Sequence, residues 1–189
     1  MRRRPAPTPA LLLAAVLLAS CGGDPAGRGR TGEPEGLLLS GGASPVADGE
    51  VPEPVISRSV YVPIYSHIYL DDPEQAYPLA STLSIRNTDP DRPLFLASIR
   101  YIDTDGSEVR DYLSRTLRLA PLATAEVVVR ERDLSGGSGA NFVVDWAADG
   151  PVSRPVVQSV MIGSAGNQGI SFVCEGSEIV RLPADPAPR

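Results

Sequence analysis

The sequence predicts an all-β protein, an antiparallel β-sandwich of about eight strands. Three observations lead there. No window of about 12 residues beyond position 57 keeps a helical repeat, whereas apolar and polar residues alternate over many short runs. Gly, Pro, Asn and Asp punctuate these runs every 8–12 residues or so, the spacing of a sandwich. The patterned stretch is about 120 residues long, enough to bury a sizeable core. A closed barrel is the alternative.

Taken in chain order, the first segment stands apart from the fold. Arg2, Arg3 and Arg4 form a basic start, and Leu11 to Leu18 a short apolar run. Such a run is too short to span a bilayer and has the form of a secretory signal. It closes on Leu18-Ala19-Ser20-Cys21, which resembles the lipobox of bacterial lipoproteins. That resemblance implies removal of residues 1–20, diacylglycerol on the Cys21 thiol and acylation of the new amino group. Each buried methylene contributes about 0.8 kcal/mol, so two or three acyl chains hold a protein on a membrane where one does so only marginally. Residue 22 is glycine, not the aspartate that commonly retains lipoproteins at an inner membrane. The expected place is therefore the periplasmic face of the outer membrane in a Gram-negative host, and otherwise the outer face of the cytoplasmic membrane.

Residues 21–56 read as a flexible tether. Nine glycines and five prolines fall between Gly22 and Ile56, and a chain of that composition spans about 30–35 Å. Leu37-Leu38-Leu39 is its one apolar spot. A domain is expected over 57–183, with 184–189 as a disordered tail. Within the domain, strands are predicted at about 57–70, 79–86, 94–103, 108–119 (broken at Ser114-Arg115), 124–131, 141–147, 156–163 and 169–175. Val60, Val62, Ile64 and Ile68 share the core face of the first. Leu79, Leu83 and Ile85 share that of the second, Phe95, Ala97, Ile99 and Tyr101 that of the third, and Phe142, Val144 and Trp146 that of the sixth. Asp103-Thr104-Asp105-Gly106 has the residues of a type I turn followed by a left-handed glycine. Asn87-Thr88-Asp89-Pro90 and Asp149-Gly150-Pro151 break the pattern in the same way.

Charge and composition exclude several functions. All 17 basic residues are arginine, so Schiff-base chemistry and the lysine of a phosphate loop are out of reach. Without residues 1–20 the chain has 14 basic residues against 23 acidic ones, a net charge of about −9. Such a surface does not favour nucleic acid or anionic lipid. With lipid on Cys21, Cys174 has no partner for a disulfide, and its place in Ile170-Ser171-Phe172-Val173-Cys174 is that of a small buried hydrophobe.

Two segments invite a search for chemistry. Ser135 to Phe142, SGGSGANF, is rich in glycine, but a phosphate loop leads into a helix and this one leads into an alternating strand. Around Ser138 the fifth position of a nucleophile elbow is Ala140, not glycine. It is expected to join two strands. A second such loop, Gly163 to Gly169, comes two strands later, so both fall at one end if strands run up and down. Ser138, Asn141, Asn167 and Gln168 are then candidates for a polar binding rim. The other segment is Ser59 to Leu70, where Tyr61, Pro63, Tyr65, His67 and Tyr69 share the face away from the core. Tyrosines offer rigid contact area with a polar tip, so Tyr61, Tyr65, His67 and Tyr69 are candidate binding residues. Pro63 has no N–H to give a neighbour, which places this strand at an edge or a bulge.

His67 is the only histidine. A zinc site needs further nitrogen or sulfur ligands, and a serine triad needs an identifiable serine and acid. Acidic loops such as Asp71-Asp72-Pro73-Glu74 or Asp89 with Asp91 lack the twelve-residue spacing of an EF-hand. No catalytic residue, metal ligand or cofactor is assigned.

The blocks YVPIYSHIY, TLSIRNTD, IRYIDTDG, LAPLATAE, SGGSGANFVVDW and VMIGSAGNQGISF, in this order, resemble the bacterial envelope family catalogued as domain of unknown function 3124. The likeness covers about Val60 to Val173. It implies a secreted or lipid-anchored protein and brings no activity or catalytic residues. LRLAPLATAEVVV is also similar to a strand–loop–strand pattern of bacterial immunoglobulin-like modules. The function expected is a non-enzymatic binding or assembly module on the envelope, recognising an envelope protein or a glycan. The alternative is a small hydrolase or metal-dependent enzyme using His67.

Overall fold

The computed structural model describes residues 35–47, 49–69, 71–165 and 168–180. Cys21 with the rest of 1–34, Asn167 and the tail 184–189 lie outside the described residues. Fourteen strands form, all pairing antiparallel, and no helix occurs among the described residues. One sheet has the order β1 (Leu37–Leu39), β10 (Thr124–Val129), β6 (Ala80–Arg86), β12 (Val156–Ala165) and β13 (Gln168–Glu175). The second runs β14 (Ser177–Glu178), β3 (Ile56–Pro63), β11 (Asn141–Ala148), β7 (Leu94–Ile102), β9 (Leu117–Leu119) and β2 (Ala43–Pro45), with β8 (Glu108–Asp111) also on β7. A separate hairpin pairs β4 (His67–Tyr69) with β5 (Ala76–Pro78).

The core lies between the two sheets. Val60, Val62 and Ile64 point into it from one sheet, together with Phe142, Val144 and Trp146; Leu83, Ile85, Ala125, Val127 and Met161 meet them from the other. Tyr101, Tyr112 and Phe142 form an aromatic group, with ring centroids 5.2 Å and 6.0 Å from Phe142. Each fully buried aliphatic or aromatic side chain contributes about 1.5–3 kcal/mol of transfer free energy, so this interior drives the fold.

The class is the one the alternation predicts, but the strand count is not about eight. Six of the fourteen strands have two or three residues: β1, β2, β4, β5, β9 and β14. Such strands are too short to display a period, so only the other eight are visible as patterned runs. Two of the short ones correct the reading of 21–56 as a tether throughout. Leu37–Leu39 pairs with Ala125–Val127, and Ala43–Pro45 pairs with Leu117–Leu119. The glycines there serve a crossing between sheets. Gly36 accepts from Val128 N–H at 2.9 Å with φ 108°, a conformation that a side chain resists. Its α-carbon also lies against the Val128 carbonyl.

Two further differences have local causes. The strand expected over 57–70 stops at Pro63, because Ile64 N–H and Ser66 N–H bond to Ala140 O and Gly137 O, 3.0 Å each, in a loop instead of a ladder. In β7 the register shifts opposite Asp145/Trp146. Leu94 and Leu96 are fully buried before the shift, Ile99 and Tyr101 after it, and Ala97 is exposed. The extra residue of a bulge moves the core face by one position, so neither Phe95 nor Ala97 shares the inner face with Ile99 and Tyr101, and Leu94 and Leu96 take that face instead.

Candidate functional site

Polar side chains collect in three places, and hydrogen-bond accounting separates those consumed by the fold from those left over. The first is the turn from β6 to β7. Asn87, almost fully buried, donates its Nδ2 hydrogens toward Arg92 O at 2.8 Å, Ala120 O at 3.0 Å and Leu119 O at 3.2 Å. Its Oδ1 accepts from Asp89 N–H at 3.0 Å. Asp89 in turn accepts from the backbone N–H groups of Ser153, Arg92 and Asp91 at 2.9–3.0 Å. These bonds hold its carboxyl below the ordinary value of 3.8, outweighing the cost of burial. Of the carboxylates considered for calcium, that of Asp89 is thus occupied by the chain itself. The sequence showed this turn only as a break between strands.

The second place is the outer face of the β3–β11–β7 sheet. Ser59, Asp145 and Ser98 lie directly opposite one another across three strands. Both hydroxyls donate to the carboxylate, Ser59 to Oδ1 at 2.5 Å and Ser98 to Oδ2 at 2.6 Å, and Arg100 reaches Oδ2 at 3.3 Å. Partial burial opposes ionisation of Asp145, but these hydroxyls and the guanidinium charge prevail and its carboxyl is held low. A carboxylate so satisfied is a weak base and does not activate either serine. An open groove of about 620 Å³ runs beside it, lined by Arg58, Glu178 and Ile179 among others. Arg58 and Arg154 both pair with Glu178, at 2.8 and 3.3 Å. Three residues far apart in sequence make this cluster, and no motif announces it.

The third place is the end of the sandwich that carries the glycine loops. Thr104 N–H and Oγ1–H both donate to Gly136 O at 2.9 Å, and Gly139 N–H donates to Thr104 Oγ1 at 3.0 Å. Gly136 lies directly against the Tyr101 hydroxyl, which shares a 2.8 Å hydrogen bond with Ser66 Oγ; Tyr101 and Ser66 are both fully buried. Burial pushes the Tyr101 phenol upward despite the Ser66 bond. The loop is therefore a clasp over the end of the core. Its glycines admit the tyrosine, not a ligand.

The predicted site residues divide accordingly. Ser138, half-buried, lies in the clasp; Asn141 opens β11 opposite Pro63 and Ile102. Gln168 is exposed at the tip of the β12–β13 hairpin, opposite Ala165, and Asn167 lies outside the described residues. The Tyr/His face does not stay together. Tyr61 remains on the outer face of β3 opposite Val143, 39% exposed. Beyond the break, Tyr65 packs edge-on against Phe172 at 5.6 Å. His67 and Tyr69 belong to the β4–β5 hairpin, where His67 Nε2 lies 3.1 Å from the Tyr69 hydroxyl and the rings meet edge-on at 5.2 Å. His67 Nδ1 is buried with no hydrogen-bond partner, while Tyr69 is 49% exposed. The two glycine loops and this hairpin share one end, since Ser66 bonds to Gly137 and Leu79, and Gly163 packs on Leu79. Among the described residues no three His, Cys, Asp or Glu side chains gather as a metal site. Cys174 is half-buried against the core, with its thiol pushed up by that burial.

The family described as "Protein of unknown function (DUF3124)" matches residues 57–179. No curated protein matches the chain. Among solved structures, the "Crystal Structure of Thermotoga maritima 1070" is similar at 14% identity and a TM-score of 0.37, covering 64% of this chain and 92% of that one.

Proposed function

Because this chain belongs to the DUF3124 family, whose description names no activity, we propose a function from its own surface: a non-enzymatic binding module, held at a bacterial envelope by lipid on Cys21. It recognises an envelope protein or a glycan. One observation carries the reading. Where the clasp ties Gly136, Gly137 and Gly139 to Thr104 and Ser66, the β4–β5 hairpin beside it leaves Tyr69 half in solvent, braced edge-on by His67. A rigid aromatic side chain half in solvent, its hydroxyl held by His67, gives contact area at little conformational cost. Leu18-Ala19-Ser20-Cys21 supports lipid attachment and Gly22 the outer-membrane destination.

Affinity capture from envelope extracts, run beside binding to isolated envelope polysaccharide, tests the surface. Tyr69→Ala should lose most of the retained protein or glycan without changing the melting temperature, and His67→Ala should lose less. Loss of biological function in a folded His67→Ala protein, with Tyr69→Ala unaffected, would instead favour catalysis by His67. The anchor has its own readout: Cys21→Ser should leave the membrane fraction or remain unprocessed, and mass spectrometry of the wild type should find lipid on residue 21.

A further inference from the structure

The strand edges of this molecule are unequally protected. Edge strands expose unpaired N–H and C=O groups, and proteins blunt them by shortness, proline, charge or bulges. At one margin of the first sheet β1 has three residues. The margins of the second sheet are β14, with two residues, and β2, with three ending in Pro45. The other margin of the first sheet is β13, with eight residues, QGISFVCE. It pairs with β12 in unbroken register from Gln158↔Glu175 to Ala165↔Gln168. It holds no proline and no arginine, and its one charge, Glu175, sits at its end. Beside it the outer face is apolar: Val173 is 53% exposed and Ile162 58%, and Val160 lies directly opposite Val173.

We infer that two copies of this chain pair through β13, antiparallel and edge to edge, extending the first sheet across a two-fold axis. Each molecule offers one long unblunted edge among the described residues, so one pairing satisfies both copies and closes the assembly. The charge pattern fits the same occupant. A chain of net charge about −9 without residues 1–20 draws basic partners elsewhere, yet β13 gives such a partner only Glu175; a second copy of this nearly uncharged strand is the better match. Opposed residues in an antiparallel pair share a face, so the axis passes through a residue. With Phe172 on the axis, Val173 faces Ser171 of the second copy. Glu175 faces Gly169, which keeps the two glutamates at opposite ends of the joint. The exposed valines and isoleucines of both copies then form one band. This surface is independent of the hairpin proposed above for recognition.

Sedimentation equilibrium on the chain from residue 21 with Cys21→Ser, which keeps every strand, tests the inference. The expected result is a concentration-dependent monomer–dimer equilibrium. Amide exchange at 169–175 should slow as the dimer fills. Val173→Lys places charge in the band without touching the core, and should weaken the dimer at least about ten-fold at unchanged melting temperature. A monomer across a hundred-fold range of concentration overturns the inference. So does a dimer that leaves 169–175 unprotected or that Val173→Lys does not weaken.

Discussion

Both ends of the sandwich are closed by buried polar groups, and they close it in different ways. At the Asn87 end an amide and a carboxylate bond only to backbone, folding the turn on itself and tying it to Leu119, Ala120 and Ser153. At the glycine-loop end the closure is a neutral hydroxyl pair, Tyr101 with Ser66, under a glycine too small to displace it. The first closure is electrostatic and local, while the second is steric and spans the strand break at Ile64–Ser66. What surrounds each follows. The Asn87 turn spends its two buried polar side chains on the backbone. The clasp frees the following residues to leave the sheet, and they become the β4–β5 hairpin with Tyr69 at its surface. The recognition surface proposed above lies where the fold interrupted a strand, not where it accumulated charge.

Breaking the first closure should cost most. Asn87→Ala leaves three carbonyls without their donor and should destabilise by about 2–4 kcal/mol in urea unfolding. Asn87→Asp aims a carboxylate at those carbonyls and should do worse at neutral pH, recovering in part when acid protonates it. A variant as stable as wild type would show that the amide is incidental. The second closure should give way less. Gly136→Ala meets the Tyr101 ring and hydroxyl and should cost about 1–3 kcal/mol, and Tyr101→Phe about 1 kcal/mol through the lost Ser66 bond. The double variant should cost less than the sum, because the phenylalanine removes the atom nearest the new methyl; strict additivity would place the clash elsewhere.

The smallest effect separates the ends by sign. Asp89 is held below its ordinary value. Its contribution is therefore present above the unfolded-state pKa near 3.9 and is lost as pH falls through the lower folded value. Tyr101 is raised, so its contribution is present below about pH 10 and is lost as pH rises toward the folded value. The chain has no lysine, and the raised groups that act in the alkaline range are Tyr101, Tyr112 and Cys174. Melting temperature against pH should fall at both extremes. Asp89→Asn should blunt the acid limb alone. Tyr101→Phe should blunt part of the alkaline limb, where the raised Tyr112 phenol also acts. Variants acting on the opposite limbs would invert the assignment.

The same contrast explains what was legible beforehand. Long strands declare their faces through period two, so Val60, Val62, Phe142, Val144 and Trp146 were readable as core. Short strands do not, and neither does the bulge at Ala97, because one inserted residue leaves composition unchanged. The loops were placed correctly at a shared end. Their role was not legible, since nothing adjacent in sequence says that Gly136 admits Tyr101 or that Ser66 answers it. The Ser59–Asp145–Ser98 row depends on strand order, which alternation alone does not contain. The splitting of the tyrosine stripe was hidden too: Pro63 marks the place, but the cause is the carbonyls of Gly137 and Ala140.

The order of pairing has a consequence in time. Strand β3 finds its main partner in β11, with Pro63 opposite Asn141 and Ile56 opposite Ala148. When residues 56–63 leave a ribosome or a translocation pore, the strand that completes them is still tens of residues behind. Val60, Val62 and Ile64 must wait in water until β11 arrives. Pairings this distant put the entropy of loop closure ahead of the reward, which places folding in the millisecond-to-second range and makes it a late event. A protein wired like this stays threadable until nearly all of it has emerged.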